Sequence, residues 1–145
     1  MQESEGIAIQ LRLSADLPPW AHDREKMRRV MINALDNAIQ AVRAQEKALG
    51  DDGRNYRPDI VVEAGQQEDA VILRITDNGI GMDADTCRRA FEPLFTTRAR
   101  GTGIGLANVK KIVEEHEGHI ELESRPGQGT QMKIVLPCDK APCKA

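Results

Sequence analysis

Asp77-Asn78-Gly79-Ile80-Gly81-Met82, answered further along by Gly101-Thr102-Gly103-Ile104-Gly105-Leu106-Ala107, is the pair of stretches from which this chain is best read. Two glycine clusters frame one short segment, and a carboxylate opens the first. Glycine has no Cβ, so backbone there can approach a ligand closely. A glycine-rich turn that runs into a helix also presents free N–H groups and a positive dipole end to phosphate. An aspartate at a strand end beside such a turn can accept a hydrogen bond from an exocyclic amine, as on adenine. The pair therefore reads as a purine nucleotide site with a base end and a phosphate end. No Gly-Lys-Ser/Thr follows either cluster, which excludes a Walker loop. The strand and acidic residue of a dinucleotide fingerprint are missing after the second cluster as well.

Working outward, residues 70–76 and 59–64 read as two strands joined by the polar turn 65–69, a hairpin leading straight into Asp77. Asp83 caps a short helix through Ala90. Residues 104–116 form a helix with Leu106, Val109, Ile112 and Val113 on one side, and Gly118 stops it. Strands at 119–124 and 130–136 flank the turn Pro126-Gly127-Gln128-Gly129. Upstream, residues 7–13 alternate with period two as a strand, and Pro18-Pro19 ends it. A helix capped by Asp23 follows, with Met27, Val30, Met31, Ala34, Leu35, Ala38, Ile39 and Val42 as its apolar stripe. Residues 43–58 are polar and read as a loop centred on Gly50-Asp51-Asp52-Gly53. This order predicts an α/β fold, a two-layer sandwich whose mixed, mostly antiparallel sheet carries helices on one face. One domain is expected over residues 1–137, with a flexible tail at 138–145.

At 145 residues the chain is long enough to bury a core without staples. Its net charge of −3 offers no global attraction to nucleic acid or an anionic membrane. Its four aromatic residues (Trp 1, Tyr 1, Phe 2) leave no stacking platform for bases of a strand. Cys87, Cys138 and Cys143 are an odd set without metal spacing, which points to free thiols in a reducing compartment. The acidic start Met1-Gln2-Glu3-Ser4-Glu5 is no signal peptide, and no stretch is apolar enough to span a membrane. A cytoplasmic domain without nucleic-acid or membrane contact is expected.

Asn33 and Asn37 sit four residues apart on the first long helix, hence on one face, flanking the apolar stripe. Asparagine is a poor mid-helix residue because its amide competes for backbone groups. Two readings remain open from this pair alone: a solvated face, or a site where Asn37 offers its carbonyl oxygen to Mg²⁺ and Asn33 approaches phosphate.

The ordered set Asn33-Ala34-Leu35-Asp36-Asn37-Ala38, Asp77-Asn78-Gly79-Ile80-Gly81, Phe91-Glu92-Pro93-Leu94-Phe95 and Gly101-Thr102-Gly103-Ile104-Gly105-Leu106 resembles the catalytic and ATP-binding domain of bacterial two-component sensor histidine kinases, members of the Bergerat-fold ATPases. The resemblance runs from about Ile7 to Leu136, and Gly127-Gln128-Gly129-Thr130 before the last strand fits it too. It implies ATP and Mg²⁺ as cofactors. It implies that Asp77 binds the adenine amine, with Gly79 and Gly81 shaping the base pocket and Thr130 supporting the base through water. Asn37 would hold the metal, with Asn33 near the reacting phosphate. Gly101, Thr102, Gly103, Gly105 and Leu106 would carry the phosphates at the start of a helix, and residues 91–100 would form a lid. Thr96-Thr97-Arg98-Ala99-Arg100 makes that lid short, similar to the nitrogen-regulatory type. Arg98 and Arg100 are its phosphate partners, since a guanidinium can bridge two phosphate oxygens.

Asn33 and Arg98 are thus the catalytic candidates. Gln40 stands where many relatives carry a phosphate-contacting lysine. Hydrolytic Bergerat ATPases carry a glutamate base at the position of Asn33, and asparagine takes no proton at neutral pH. The implied reaction is transfer of the γ-phosphate to a histidine on a separate dimerisation domain, which then serves a response regulator. His116-Glu117 has the His-acid form of an acceptor, but it stands at a helix end where the family often has His-Gly. The acceptor is therefore expected outside this chain. A sigma-factor-binding serine kinase and a non-catalytic ATP sensor are the alternatives.

Overall fold

The computed structural model describes residues 6–13, 24–53, 55–92 and 105–137. Five strands form one sheet in the order β1-β2-β3-β5-β4: β1 (Ala8–Leu13), β2 (Asp59–Gln67), β3 (Ala70–Asp77), β4 (His119–Arg125) and β5 (Gly129–Pro137). β1 runs parallel to β2 and the other pairs are antiparallel. Among the described residues three α-helices lie against the sheet: α1 (Arg24–Leu49), α2 (Ala84–Arg89) and α3 (Gly105–Glu115). The two-layer α/β sandwich is the architecture expected from the sequence.

Alternation builds the core. Ile60 and Val62 of β2, Val71, Leu73 and Ile75 of β3, and Met132, Ile134 and Leu136 of β5 are buried on one face. α1 meets them with Met27, Val30, Ala34, Ala38 and Val42, and α3 with Val109, Ile112 and Val113. Burying one such valine stabilises the fold by roughly 1.5–3 kcal/mol. Lys26 and Glu115 join the start of α1 to the end of α3 at 3.2 Å. That pair is exposed and adds little.

Three boundaries differ from the expectation. α1 continues through Leu49, where a loop was expected from residue 43. The continuation Arg43–Leu49 is polar but made of strong helix formers, and it ends only at Gly50, with φ +54. The hairpin turn is just Glu68-Asp69, with Glu68 at φ 54, and β2 runs on through Gln67. At the end of α3 the left-handed residue is Glu117 (φ 61), not Gly118. Gly118 donates to the Val113 carbonyl at 2.9 Å, and a Cβ there would overlap the Val135 carbonyl oxygen.

β1 carries a further surprise. Ile9, Leu11 and Leu13 pair with Ile60, Val62 and Ala64 and so share the helix-side face. They are nevertheless 41%, 66% and 62% exposed, because α1 lies chiefly over β3. The expected Asp23 cap and the tail at 138–145 lie outside the described residues.

Candidate functional site

Asp77 ends β3 on its core face and pairs directly across the sheet with Thr130 of β5. Both are buried, at 5% and 6% exposure. The core face thus changes from aliphatic to polar at the last residue of one strand and the second of its neighbour. An open cleft of about 860 Å³ begins there, walled by Asp77 and Thr130, by Ser124 of β4, and by Ala84, Cys87 and Phe91 at α2.

The Asp77 Oδ1 accepts the Gly79 amide at 2.8 Å. The rest of the turn is tied on both sides. Ile80 donates its amide to the Ala41 carbonyl of α1 at 3.0 Å, and its own carbonyl accepts the Gly127 amide at 2.6 Å. Met82 donates to Ser124 Oγ at 2.9 Å. Such close seating explains the glycines. A Cβ at Gly79 would stand 2.5 Å from the Ala41 backbone, and one at Gly81, whose φ is +70, would overlap the Arg125 carbonyl oxygen. The demand for glycine at both positions comes from protein packing.

Hydroxyl protons can be assigned at Ser124. Its Oγ donates to the Gly129 carbonyl at 3.0 Å, which uses its one proton. In the 2.7 Å contact with Thr130 Oγ1, Thr130 must then be the donor. Thr130 keeps lone pairs for a water or a ligand.

The other end of the site lies along α1. Asn33, Asn37 and Ala41 are spaced by four, one row on the helix, each step about 6 Å along the axis. Ala41 touches the Gly79–Ile80 turn, whereas Asn33 lies 4.0 Å from where a Gly105 Cβ would sit at the start of α3. Asn37 stands between, 7% exposed. Among the described residues its buried Oδ1 has no hydrogen-bond partner. An unpaired buried carbonyl oxygen costs about 1–3 kcal/mol, a cost that a ligand at this atom would offset. The chemistry fits a hard cation: Mg²⁺ takes oxygen donors, usually one or two from protein beside phosphates and waters. Leu106 packs on the core edge next to Gly105.

Arg98, Arg100, Gly101, Thr102 and Gly103, and the expected short lid, lie outside the described residues. Phe91, where the lid was expected to begin, lies under the Lys110 ammonium of α3, 5.6 Å from its ring centre. Cys87 lines the cleft as a free thiol whose Sγ reaches the Leu122 carbonyl at 3.8 Å, and burial raises its pKa. His116 caps its own helix, its Nδ1 at 2.8 Å from the Ile112 carbonyl.

Sequence reasoning passed over Ser124, Tyr56 and Asn78 as individual actors. Ser124 had a signal: it is the polar exception on the face that Ile120 and Leu122 share. The single tyrosine was hidden in a segment read as loop. Its hydroxyl donates to the Asn78 carbonyl at 2.8 Å. Burial, then the Asp77 carboxylate, then Glu46 push the Tyr56 phenol from its ordinary 10.0 to about 12.

Residues 22–140 match the family described as histidine kinase-, DNA gyrase B-, and HSP90-like ATPase. Sporulation kinase E of Bacillus subtilis is 39% identical over 131 residues, 90% of this chain and 16% of that protein. The sensor histidine kinase ZraS of Escherichia coli is 38% identical over 138 residues, 94% of this chain and 27% of its own length. The chain thus spans less than a third of the length of these curated relatives. Among solved structures, the mycobacterial sensor histidine kinase MprB superposes with a TM-score of 0.74 at 26% identity, covering 94% of this chain and 85% of that one. The chain belongs to the histidine kinase-, DNA gyrase B- and HSP90-like ATPase family.

Proposed function

We propose that this chain is the ATP-binding catalytic unit of a two-component sensor histidine kinase. It would pass the γ-phosphate of ATP to a histidine on a dimerisation domain outside this sequence, from which a response regulator is served. The observation that carries the reading is the buried Asp77 carboxylate, held by the Gly79 amide beside Thr130 at the wall of the cleft. A carboxylate fixed in this way can accept a hydrogen bond from the adenine amine. The lone pairs left on Thr130 take a water at the same base edge.

Asn37 would hold Mg²⁺ through the oxygen that has no partner among the described residues. When bound, that ion offsets negative charge on the transferring phosphoryl group. Asn33, beside the start of α3, positions and does not deprotonate, because its amide is no base. Hydrolysis is thereby disfavoured against transfer to an imidazole. Arg98 and Arg100 would clamp phosphate oxygens, and Gly101, Thr102, Gly103 and Gly105 would bring backbone amides to them. The bond from the γ-phosphorus to ADP breaks as the nitrogen–phosphorus bond forms, and positioning supplies most of the rate. Among the described residues no helix is long and apolar enough to cross a membrane. We place the unit in the cytoplasm, where ATP is available.

The test mixes this protein with a separately produced histidine-bearing dimerisation domain and γ-labelled ATP. Acid-labile, base-stable label on the partner is expected. Acid-stable label would point to serine and overturn the reading, and ATP binding without transfer would leave only a nucleotide sensor.

A further inference from the structure

Tyr56 lies in the segment between α1 and β2, outside every glycine motif, yet it reaches the turn that carries Asp77. Its phenol donates to the Asn78 carbonyl at 2.8 Å and stands 3.1 Å from Asn78 Oδ1. The end of that segment and the first residue of β2 engage the remaining polar atoms of Asn78. Asn78 Oδ1 accepts the Asp59 amide at 2.9 Å, Asn78 Nδ2 donates to the Arg57 carbonyl at 2.8 Å, and the Asn78 amide donates to the Asp59 carbonyl at 3.3 Å.

Asn78 separates Asp77 from Gly79, whose amide holds the Asp77 carboxylate. Successive residues leaving a strand point to opposite faces. Asp77 therefore turns into the cleft, while Asn78 is gripped from behind and is not part of the cleft wall. The Asp77 carboxylate also bears electrostatically on the phenol.

We infer that Tyr56 is a positioning residue for the base end of the nucleotide site: through Asn78 it fixes the turn that aims the Asp77 carboxylate. The inference rests on the nucleotide reading above and adds to it a residue that no motif contains. One neutral hydrogen bond nets about 0.5–1.5 kcal/mol. At 1.4 kcal/mol per tenfold, its loss is a change of roughly 2- to 12-fold in affinity if all of it reaches the ligand.

The experiment compares wild type with Tyr56→Phe, which keeps the ring and its burial and removes only the hydroxyl. ADP affinity is measured by calorimetry, and amide hydrogen exchange is followed at Gly79 and across α3. The expected result is an ADP Kd about fivefold weaker, with faster exchange at Gly79 and unchanged exchange at Val109, Ile112 and Val113. Unchanged ADP affinity would overturn the inference. So would weaker binding accompanied by equally faster exchange across α3, since Tyr56 would then serve general stability. If wild type binds no ADP, the nucleotide reading itself falls, while exchange at Gly79 still decides whether Tyr56 fixes the turn.

Discussion

At the base end, Asp77, Ser124, Thr130 and the turn through Met82 hold one another: carboxylate to Gly79 amide, hydroxyl to hydroxyl, and backbone to α1 and to the β4–β5 turn. At the end proposed to take the metal, the row Asn33–Asn37 contains a buried oxygen with no partner among the described residues. One end is held together by hydrogen bonds within the protein, which fixes the acceptors proposed to meet a base. The other carries an unmet demand that a ligand would satisfy. The contrast teaches how the two halves of such a site divide labour. Base recognition needs fixed acceptors, because a purine edge is rigid and directional. Phosphate and metal chemistry needs groups that stay available, and availability in a buried place costs stability.

The comparison breaks most easily at Asp77. Asp77→Ala removes a charged acceptor from a fixed position, and hydrogen bonds to charged groups contribute about 1.5–3 kcal/mol. ADP affinity measured by calorimetry is expected to fall roughly a hundredfold once the lost desolvated contact is included. Retention within about threefold would remove Asp77 from the base site.

Asn37→Leu sharpens the other half. Leucine shares the branched shape and heavy-atom count of asparagine and removes the buried oxygen, so the ligand-free protein is expected to gain about 1 kcal/mol in urea unfolding. The same change is expected to abolish the Mg²⁺-dependent part of ADP affinity, about tenfold, leaving binding in EDTA unchanged. A variant less stable than wild type would mean that this oxygen is already satisfied.

The smallest effect concerns pH. Tyr56 has a folded pKa raised from 10.0 to about 12. Between those values the unfolded chain has lost the phenolic proton and the folded one has kept it. Stability from this group is therefore full below pH 10 and is lost as pH rises toward 12. Solvent screening holds the effect to about 1 kcal/mol at most. Thermal melts from pH 9 to 11 should show wild type falling more steeply than Tyr56→Phe, and parallel curves would contradict the shift.

Much of this was legible in the chain itself. Period-two alternation in β2, β3 and β5 and the 3.6-residue stripe of α1 report which face is buried, because burial of aliphatic side chains is what those spacings achieve. Asp83 was readable as the cap of α2, and its side chain does accept the Thr86 amide at 2.7 Å. Asn33, Asn37, Asp77 and Thr130 were all named from the sequence as candidates. The helical extension Arg43–Leu49 was not, because a polar run of helix formers looks the same in a loop. Nor was the exposure of Leu11 and Leu13, since alternation names a face without saying whether anything covers it.

The ordered motifs by themselves determined the fold class, the family and the polar residues that chemistry would need. Only the tertiary structure decided why those residues sit where they do. Gly79 and Gly81 are glycine because α1 and the β4–β5 turn press on them. Among the described residues the Asn37 Oδ1 has no partner, and the Tyr56 hydroxyl has one, for the same reason: hydrogen bonds between residues distant in sequence exist only once the chain has closed upon itself. Local spacing cannot encode them.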